Sequence, residues 1–416
     1  MEQESILVKT KQYTYFCGID IAKRKHVACV INRDDEFVVR SQSFNNDAQG
    51  YQALLNRLKD TGQRRQILIG MEATGHYWYA LRDFLAGKGY EVVVLNPIQT
   101  AQQAKKGIRK SKTDKIDAHH IAQLLKNGEH KAALVPGDFA MTCRQLTRLR
   151  YKLIGQGAGV KRLLWSRLHP VWPEYETLLA NPFCKTGRTL LMTAPTPADV
   201  LAFGREALAE LIRKTSRGKY GAMQAEKIWL AAQQTVGTRR GLDGARVSIR
   251  SLLTQIEALA AIRKQLEAEI VALAERLPGH LFTLPGIDRI SAVSLFGETD
   301  PIEAFDTGAQ LVAFAGLDTT VFQTGQYEAP HRRITKRGSP FLRHTLWGMA
   351  HRACYQEGDL RDYWLRRRGD GLHYLAAVTA SAIKLSHVAW RILTDRRDYL
   401  PKAPTARKIR RSRPTS

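Results

Sequence analysis

Apolar runs separated by polar turns divide the first hundred residues into short elements. Three strands are predicted within residues 14–43, with the sequences YFCGIDIA, HVACVIN and FVVRSQSF. The tight connections between them indicate an antiparallel meander. Helical periodicity at 47–60 and 76–88 then alternates with the apolar runs QILIGME and YEVVVLN. Such strand–helix–strand alternation is typical of parallel pairing in an α/β layer.

The rest of the chain has mainly helical periodicity. The stretch that follows Pro97 is polar and basic, and its second half repeats apolar residues at helical spacing, at Ile116, Ile121 and Leu124. Residues 141–280 are predicted to be mainly helical, with interruptions at HPVWPEYETLLANPF and near APTPADV. The predicted fold class is therefore an α/β N-terminal domain with a mixed sheet, a helical middle and a mainly α C-terminal domain.

A heptad pattern runs through residues 252–277, where apolar residues alternate at spacings of four and three and Arg263 takes the skipped seam position. Such a seam favours a coiled coil between copies of the chain, or a long helix that packs within its own chain. The sequence leaves both alternatives open. The apolar seam residues are Leu252, Ile256, Leu259, Leu266, Ile270, Leu273 and Leu277.

Charge is the strongest global feature, because 64 Lys and Arg against 39 Asp and Glu give a net charge of +25 and a pI of about 10.0. An excess of this size repels itself unless a polyanion neutralises it, which indicates a nucleic-acid partner. A ribosome-associated or membrane-surface protein is the alternative. Two clusters and the basic tail 401–416 carry much of the charge. The predicted phosphate-binding residues are Lys105, Lys106, Arg109, Lys110, Lys112, Arg332, Arg333, Lys336, Arg337 and Arg343.

Several classes of protein are excluded by what the sequence lacks. No uncharged apolar run approaches the roughly 20 residues that span a bilayer, and the N-terminal MEQESILVKTKQYTY has charges where a signal peptide needs apolar residues. The five cysteines are far apart and lack CxxC spacing, which argues against zinc and against a disulfide framework. We therefore expect a protein without a membrane association, with buried thiols, in a reducing cytoplasm.

Four acids stand out by their position in the predicted elements. Asp20 is near the end of the first strand, Glu72 ends the fourth, and Asp114 and Asp117 share one face of a helix. Each alone has a structural explanation as a turn cap, an ion-pair partner or a first-turn helix residue. Together they predict converging carboxylates, whose oxygen ligands select Mg²⁺ or Mn²⁺. Two such ions about 4 Å apart stabilise both the attacking and the leaving oxygen at a phosphodiester.

Three segments near the N-terminus and two near the C-terminus resemble one family of enzymes. YFCGIDIAKRKHVACVIN, IGMEATGHYWYALRDFLAGKGYEVVVLNP and KSKTDKIDAHHIAQLL resemble the RuvC-like domain of bacterial insertion-sequence transposases of the one-ten family. LPGIDRISAVSLFGETDPIEAFDTGAQLVAFAGLDTTVFQTGQ and HRRITKRGSPFLRHTLWGMA resemble the C-terminal transposase domain of the same family. Residues 171–245 carry no such resemblance.

Periodicity, composition and the resemblance together predict a division of the chain into four parts. A RuvC-like, RNase H-like catalytic domain occupies 1–135, and a helical linker, insert and coiled coil occupy 136–280. The C-terminal transposase domain occupies 281–400, and a basic, disordered tail follows at 401–416.

The resemblance also implies an activity and its partners. Members of the family are bridge-RNA-guided recombinases, so it implies donor and target double-stranded DNA, a structured non-coding guide RNA, a homo-oligomer from dimer to tetramer, and the bacterial nucleoid. By the same resemblance Asp20, Glu72, Asp114 and Asp117 are the metal-binding catalytic set.

The family's serine nucleophile corresponds here to Thr324, because FQTG stands where the family carries Tyr-Gln-Ser-Gly. By itself a Thr before Gly reads as a turn residue. Its additional methyl group restricts χ1 and crowds an in-line approach, which predicts a slow or stalled enzyme. The rival hydroxyl is that of Ser339, although Ser before Pro is typical of a helix start. The Pro-Gly turn at Gly286 resembles a helix-hairpin-helix, which offers backbone N–H groups to phosphate.

Two other functions are alternatives to a recombinase. A junction-resolving endonuclease uses the four carboxylates without a hydroxyl nucleophile, and a covalent protein–DNA adduct separates it from a recombinase. A non-catalytic DNA-binding regulator would not need intact carboxylates.

Overall fold

The computed structural model of the protein describes residues 12–73, 75–95, 114–128, 135–319, 323–324, 327–328 and 333–401. The chain forms two compact units, residues 1–135 and residues 136–416.

The N-terminal unit contains a mixed five-stranded sheet in the order β3-β2-β1-β4-β5. β1 pairs antiparallel with β2 and β2 with β3, whereas β1 and β4, and β4 and β5, are parallel. The predicted meander and the predicted parallel pairing are both confirmed. The strands are β1 (Tyr15–Asp20), β2 (Lys25–Ile31), β3 (Phe37–Asn45), β4 (Ile67–Glu72) and β5 (Glu91–Leu95).

Helices cover both faces of this sheet. α1 (Ala48–Thr61) and α2 (Trp78–Gly87) pack on one face, which carries Cys17, Ile19, Ile69 and Met71. α3 (Asp114–Lys126) packs on the other face, against Phe16 and Leu68. The alternation of side chains along each strand therefore supplies two apolar cores.

Two strand glycines allow α3 to approach the sheet closely. A Cβ atom on Gly18 would lie 2.0 Å from the carbonyl oxygen of Ala118, and one on Gly70 would lie 2.6 Å from Leu125 Cδ1. Gly18 and Gly70 are register partners on the neighbouring strands β1 and β4. The helix therefore lies directly over the two strands that end at Asp20 and Glu72.

The second unit begins with two long helices that enclose a helical insert. α4 (Asp138–Leu168) packs along α10 (Leu242–Ala274). The insert has its own core, which includes the fully buried Trp172 and Tyr175 together with Leu253 of α10. Residues 171–245 are thus a packed helical bundle. Its helices are α5 (Tyr175–Leu178), α6 (Lys185–Thr193), α7 (Pro197–Phe203), α8 (Arg205–Thr215) and α9 (Ala222–Gln233).

The C-terminal part is mainly helical, so the predicted fold class is confirmed. A short strand pair connects α12 to α13, and the long α15 packs against α12, α13 and α14. The elements are α11 (Arg289–Thr299), α12 (Gly308–Phe314), β6 (Gln323–Thr324), β7 (Tyr327–Glu328), α13 (Pro340–Ala353), α14 (Asp359–Gly369) and α15 (Tyr374–Asp395). The basic tail beyond residue 401 lies outside the described residues, and the predicted boundary at 280 stays a prediction.

The predicted heptad seam lies on α10 except for Leu277, which follows the end of the helix, and α10 has a partner within the chain. Leu252, Ile256 and Ile270 are buried, whereas Leu259 and Leu266 are half-buried along the helix that packs on α4. The seam arginine, Arg263, is exposed and lies 3.7 Å from Glu267. Intrachain packing is thus present, and pairing between copies stays a prediction.

Candidate carboxylate site and hairpin

Asp20 and Glu72 lie at the same end of adjacent parallel strands. Ile19 of β1 pairs with Met71 of β4. Asp20 and Glu72 are the next residues of the two strands and form their C-terminal ends. Alternation places both on the α3 face, the face of Gly18 and Gly70, and both are half-buried. Because neighbouring strands are about 4.8 Å apart, the two carboxylates project side by side.

The direction of α3 brings its first turn to these strand ends. Lys126, at the C-terminus of α3, forms an ion pair of 2.5 Å with Asp35 in the β2–β3 turn. Phe16 pairs with Ile31, so that turn lies at the opposite end of the sheet from Asp20. The N-terminus of α3 therefore points toward Asp20 and Glu72.

Asp114 is the first residue of α3 and Asp117 is three residues further on, on the same face. Asp117 is half-buried, and the side chain of Asp114 lies outside the described part of the structure. Within the described side chains, no group of three or more His, Cys, Asp or Glu residues is close enough to hold one ion. The four predicted ligands are all carboxylates, which is the donor chemistry that suits a hard divalent cation.

Thr324 lies in a short β-hairpin in the C-terminal unit. β6 pairs antiparallel with β7, with Thr324 opposite Tyr327 and Gln323 opposite Glu328. At the base of the hairpin Thr319 forms a bridge with Ile334. The side chain of Thr324 lies outside the described residues, so its role as nucleophile stays a prediction.

Ser339 caps α13, as a Ser before Pro at a helix start is expected to do. Its hydroxyl oxygen accepts a hydrogen bond from the Leu342 N–H and donates one of 3.0 Å to Glu298 Oε2. Both of these contacts are structural in character. The rival hydroxyl is therefore already engaged within its own domain.

The turn at Gly286 uses its polar backbone groups within the chain. The Gly286 N–H donates to Gln356 Oε1 over 3.2 Å, and its carbonyl oxygen accepts from Arg352 Nε over 2.8 Å. With φ at +70°, and with a Cβ that would lie 2.0 Å from the Met349 carbonyl oxygen, this position requires glycine. A phosphate contact by Gly286 stays a prediction and would compete with Gln356.

The predicted basic residues fall into three groups. Arg333, Lys336 and Arg337 are exposed in the segment that leads from the hairpin to α13. Arg343 is half-buried and donates to the carbonyl oxygen of Ala315 over 2.9 Å, so it supports the turn around Gly316. The other predicted phosphate-binding residues lie outside the described part of the chain, namely Lys105, Lys106, Arg109, Lys110, Lys112 and Arg332.

Sequence reasoning missed a buried ion pair in the C-terminal unit. Glu298 is fully buried in α11 and accepts two hydrogen bonds from Arg148, of 2.6 and 2.9 Å. Arg144, one turn earlier in α4, donates to the carbonyl oxygen of Gly297 over 2.7 Å. These contacts join α4 to α11 across about 150 positions of sequence, so no local pattern signals them.

Two parts of the chain match known protein families. Residues 17–173 match the family DEDD_Tnp_IS110, described as a transposase, and residues 279–365 match the transposase family IS116/IS110/IS902. The chain carries transposase domains of the IS110/IS116/IS902 family. The first match contains β1, β4 and α3, and the second contains the β6–β7 hairpin and α13.

Two relatives are similar to this chain along most of their length, and a third along one part of it. The uncharacterized 44.8 kDa protein of insertion element IS116 from Streptomyces clavuligerus is 24% identical over 95% of this chain and 99% of its own. The transposase for insertion sequence element IS1111A from Coxiella burnetii is 22% identical over 92% of this chain and 90% of its own length. A pilin gene-inverting protein from Moraxella bovis is 34% identical over 26% of this chain and 33% of its own.

The matched domains carry two implications for this chain. Transposase domains imply DNA substrates, and a DEDD-type domain suggests the use of divalent metal ions. Among the helices that the structure describes, none has the length and apolar character needed to cross a membrane.

Proposed function

We propose that the protein is a DNA recombinase that cuts and rejoins donor and target strands through a covalent protein–DNA intermediate. The observation that carries the proposal is the placement of Asp20 and Glu72 side by side, at the sheet end toward which the first turn of α3 points. This arrangement falls within the region that matches a DEDD transposase family. The charge of +25 matches a phosphate-rich substrate.

Asp20, Glu72, Asp114 and Asp117 would hold Mg²⁺ or Mn²⁺ in this proposal. A bound divalent cation supplies Lewis-acid stabilisation of the charge that develops on phosphate oxygens. The protein's own contribution is positional. The paired strands hold Asp20 and Glu72 at one end of the sheet. The helix α3, packed over Gly18 and Gly70, would hold Asp114 and Asp117 on the same face of the sheet.

Thr324 is proposed as the nucleophile. Its hydroxyl oxygen forms a bond to the scissile phosphorus while the bridging oxygen leaves as the new end of the cut strand, and the hydroxyl proton balances that leaving oxygen. The exposed Arg333, Lys336 and Arg337, which follow the hairpin, are proposed to offset the phosphate charge that develops during the transfer.

The test compares three variants with the unaltered chain on a DNA substrate with Mg²⁺, followed by a denaturing gel for the protein–DNA adduct. Adduct from Thr324→Ser at or above the original level, none from Thr324→Ala and little change in Ser339→Ala support the assignment. Adduct that persists in Thr324→Ala refutes it. Because Ser339 caps α13, its replacement by Ala is expected to cost about 1 kcal/mol of stability, so a thermal melt accompanies that variant.

The same gel separates a recombinase from a junction-resolving nuclease. Metal-dependent cleavage without an adduct from the unaltered chain or from Thr324→Ser favours the nuclease. Strand binding without cleavage by any variant, together with unchanged binding in the carboxylate variants, favours a regulator.

A structured guide RNA and a homo-oligomer of two to four copies complete the proposal, on the family resemblance alone. The guide RNA is tested by expressing the protein together with the DNA that flanks its gene and sequencing the nucleic acid that copurifies with it. Recovery of one discrete non-coding RNA supports guidance, whereas a random mixture of cellular RNA contradicts it.

A further inference from the structure

Aromatic rings line one side of α13. His344, Trp347 and His351 lie three and four residues apart and Tyr355 follows just past the helix end, so the four share one face over about 16 Å. The rings of Trp347 and His351 are stacked, with centroids 5.4 Å apart and planes 18° apart, and the ring of Tyr355 lies 5.4 Å from that of His351. We call these four residues the aromatic stripe.

The aromatic stripe is open to solvent in the C-terminal unit. Tyr355 is 61% exposed, His344 is exposed, and Trp347 and His351 are half-buried. The opposite face of α13 instead supplies core residues such as Leu342, Leu346 and Met349. The helix therefore buries an aliphatic face and presents an aromatic one.

A cavity of about 340 Å³ lies at the His344 end of the aromatic stripe. Its aromatic wall includes Tyr151, Phe341 and His344, and the ring of Tyr151 meets those of Phe341 and His344 edge to face at 5.1 and 5.0 Å. Its charged lining includes Arg150, Arg352 and the carboxylate of Asp288. Its volume falls at the lower end of the range of about 300–1,000 Å³ that is usual for ligand sites.

The two guanidinium groups of this cavity are held in position. Arg150 pairs with Glu267 at 2.8 Å, and Arg352 pairs with Asp288 at 3.1 Å. Burial and the charges of Arg150 and Arg352 lower the pKa of His344.

A second group of cations lies on α14 and α15, around Tyr363, which precedes Trp364, the α14 ring 6.1 Å from that of Tyr355. The ring of Tyr363 in α14 has Arg366, Arg367 and Lys384 within 5.4, 5.7 and 4.7 Å of its centroid. The Tyr355 hydroxyl lies 3.0 Å from that of Tyr374, which fixes the orientation of its ring. Accessible rings with guanidinium groups nearby are the composition of surfaces that bind single-stranded nucleic acid.

We propose that the aromatic stripe and its cavity bind an unpaired segment of nucleic acid, with bases stacked on the rings and phosphates near the flanking guanidinium groups. In a duplex the faces of the bases are stacked on one another, so they are not available to protein rings. The inference rests on the proposed function, because an enzyme that exchanges strands exposes unpaired nucleotides during the reaction. A single strand of DNA and a single strand of RNA offer the same stacking chemistry.

The test measures binding of a labelled oligonucleotide of about 16 nucleotides, the upper end of common site sizes, by fluorescence anisotropy. Single-stranded DNA, RNA of the same sequence and duplex DNA are compared, all with EDTA so that no strand is cut. Tyr355→Ala and Trp347→Ala are each expected to weaken single-strand binding about tenfold. The affinity for duplex DNA is expected to stay unchanged. If the variants lose more affinity for one of the two single strands, DNA or RNA, that strand is the one the site binds in the reaction.

Matched variants keep the result interpretable. Tyr355→Phe retains the ring and is expected to bind like the unaltered chain, and Phe203→Ala removes a ring that is 36% exposed in the helical insert. Unchanged single-strand affinity in Tyr355→Ala overturns the proposal, even if Trp347→Ala fails to fold. Equal losses for single-stranded and duplex DNA overturn it as well, since they indicate a general phosphate surface.

Crosslinking provides an independent readout. Oligonucleotides that carry 5-iodouracil are irradiated with the protein, and the crosslinked peptides are expected to contain Trp347 or Tyr355. Crosslinks confined to other peptides contradict the proposal. Neither measurement requires cleavage, so a failed adduct experiment with Thr324 and a failed binding experiment with the aromatic stripe remain distinguishable.

Discussion

Gly18 lies directly beneath the backbone of α3, so that a Cβ atom on residue 18 would lie 2.0 Å from the carbonyl oxygen of Ala118 and 2.5 Å from the nitrogen of Ala122. Real side chains do not approach backbone atoms this closely. The packing of α3, and with it the position of Asp117, therefore depends on the absence of one methyl group.

Gly18→Ala is expected to destabilise the N-terminal unit by more than the roughly 1–3 kcal/mol usual for overpacking, because backbone atoms must move. Gly70→Ala is expected to cost less, since it meets only the side chain of Leu125. Chemical denaturation measures both. The control is Gly155→Ala in α4, where a Cβ meets nothing within 4 Å and a gain of up to about 1 kcal/mol is expected. Equal stability of Gly18→Ala and the unaltered chain would contradict the packing argument.

The carboxylates are expected to act in chemistry and not in binding. Asp20→Ala, Glu72→Ala and Asp114→Ala should each abolish recombination while nucleic-acid affinity stays within about twofold, because no phosphate contact is lost. Asp117→Ala is expected to behave similarly, although its first-turn position also favours α3 through the helix dipole. A recombination assay in Mg²⁺ beside a filter-binding assay measures the two properties.

The exposed Asp83, which pairs with Arg82 on α2, supplies a control for the carboxylate variants. Asp83→Ala should retain full recombination. Full activity in any two of the Asp20, Glu72 and Asp114 variants would show that the carboxylate assignment is wrong.

The buried pair of Arg148 and Glu298 is expected to hold α4 against α11. Arg148→Ala leaves a fully buried carboxylate that keeps its hydrogen bond from Ser339 but has lost its ion pair, which should lower the free energy of unfolding by about 3 kcal/mol. Urea denaturation measures the change. Glu303→Ala, which removes a carboxylate that is 66% exposed, should change the stability by less than about 0.5 kcal/mol. Similar losses for the two variants would contradict a special role of the buried pair.

The two faces of α10 are expected to respond differently to charge. Leu259→Glu with Leu266→Glu places carboxylates along the half-buried face toward α4, so the thermal midpoint should fall. Ile262→Glu changes a side chain that is 49% exposed, so the midpoint should stay the same. If copies of the chain pair through this helix, sedimentation velocity should show a lower mass for Ile262→Glu. An unchanged mass would leave α10 with intrachain packing alone.

The sequence by itself determined the local features of this protein. Alternating apolar residues and polar turns predicted the meander, and the predicted α/β alternation agrees with the parallel pairing of β1 with β4 and of β4 with β5. The same patterns placed Asp20 and Glu72 at strand ends and Asp114 and Asp117 on one helical face. These features depend on residues a few positions apart in the sequence, so they can be predicted from periodicity and from the residues typical of turns.

Only the tertiary structure decided the features that depend on distant contacts. Glu298 meets Arg148 across 150 positions, Gly286 gives its N–H to Gln356, and Arg343 supports a turn instead of facing solvent. The heptad pattern of α10 predicted a partner helix, yet only packing showed that α4 fills that place. The spacing of the rings on α13 is visible in the sequence, but their exposure depends on which face the remaining helices cover. Local pattern specifies an apolar or aromatic face, and the long-range packing of the chain decides what covers it.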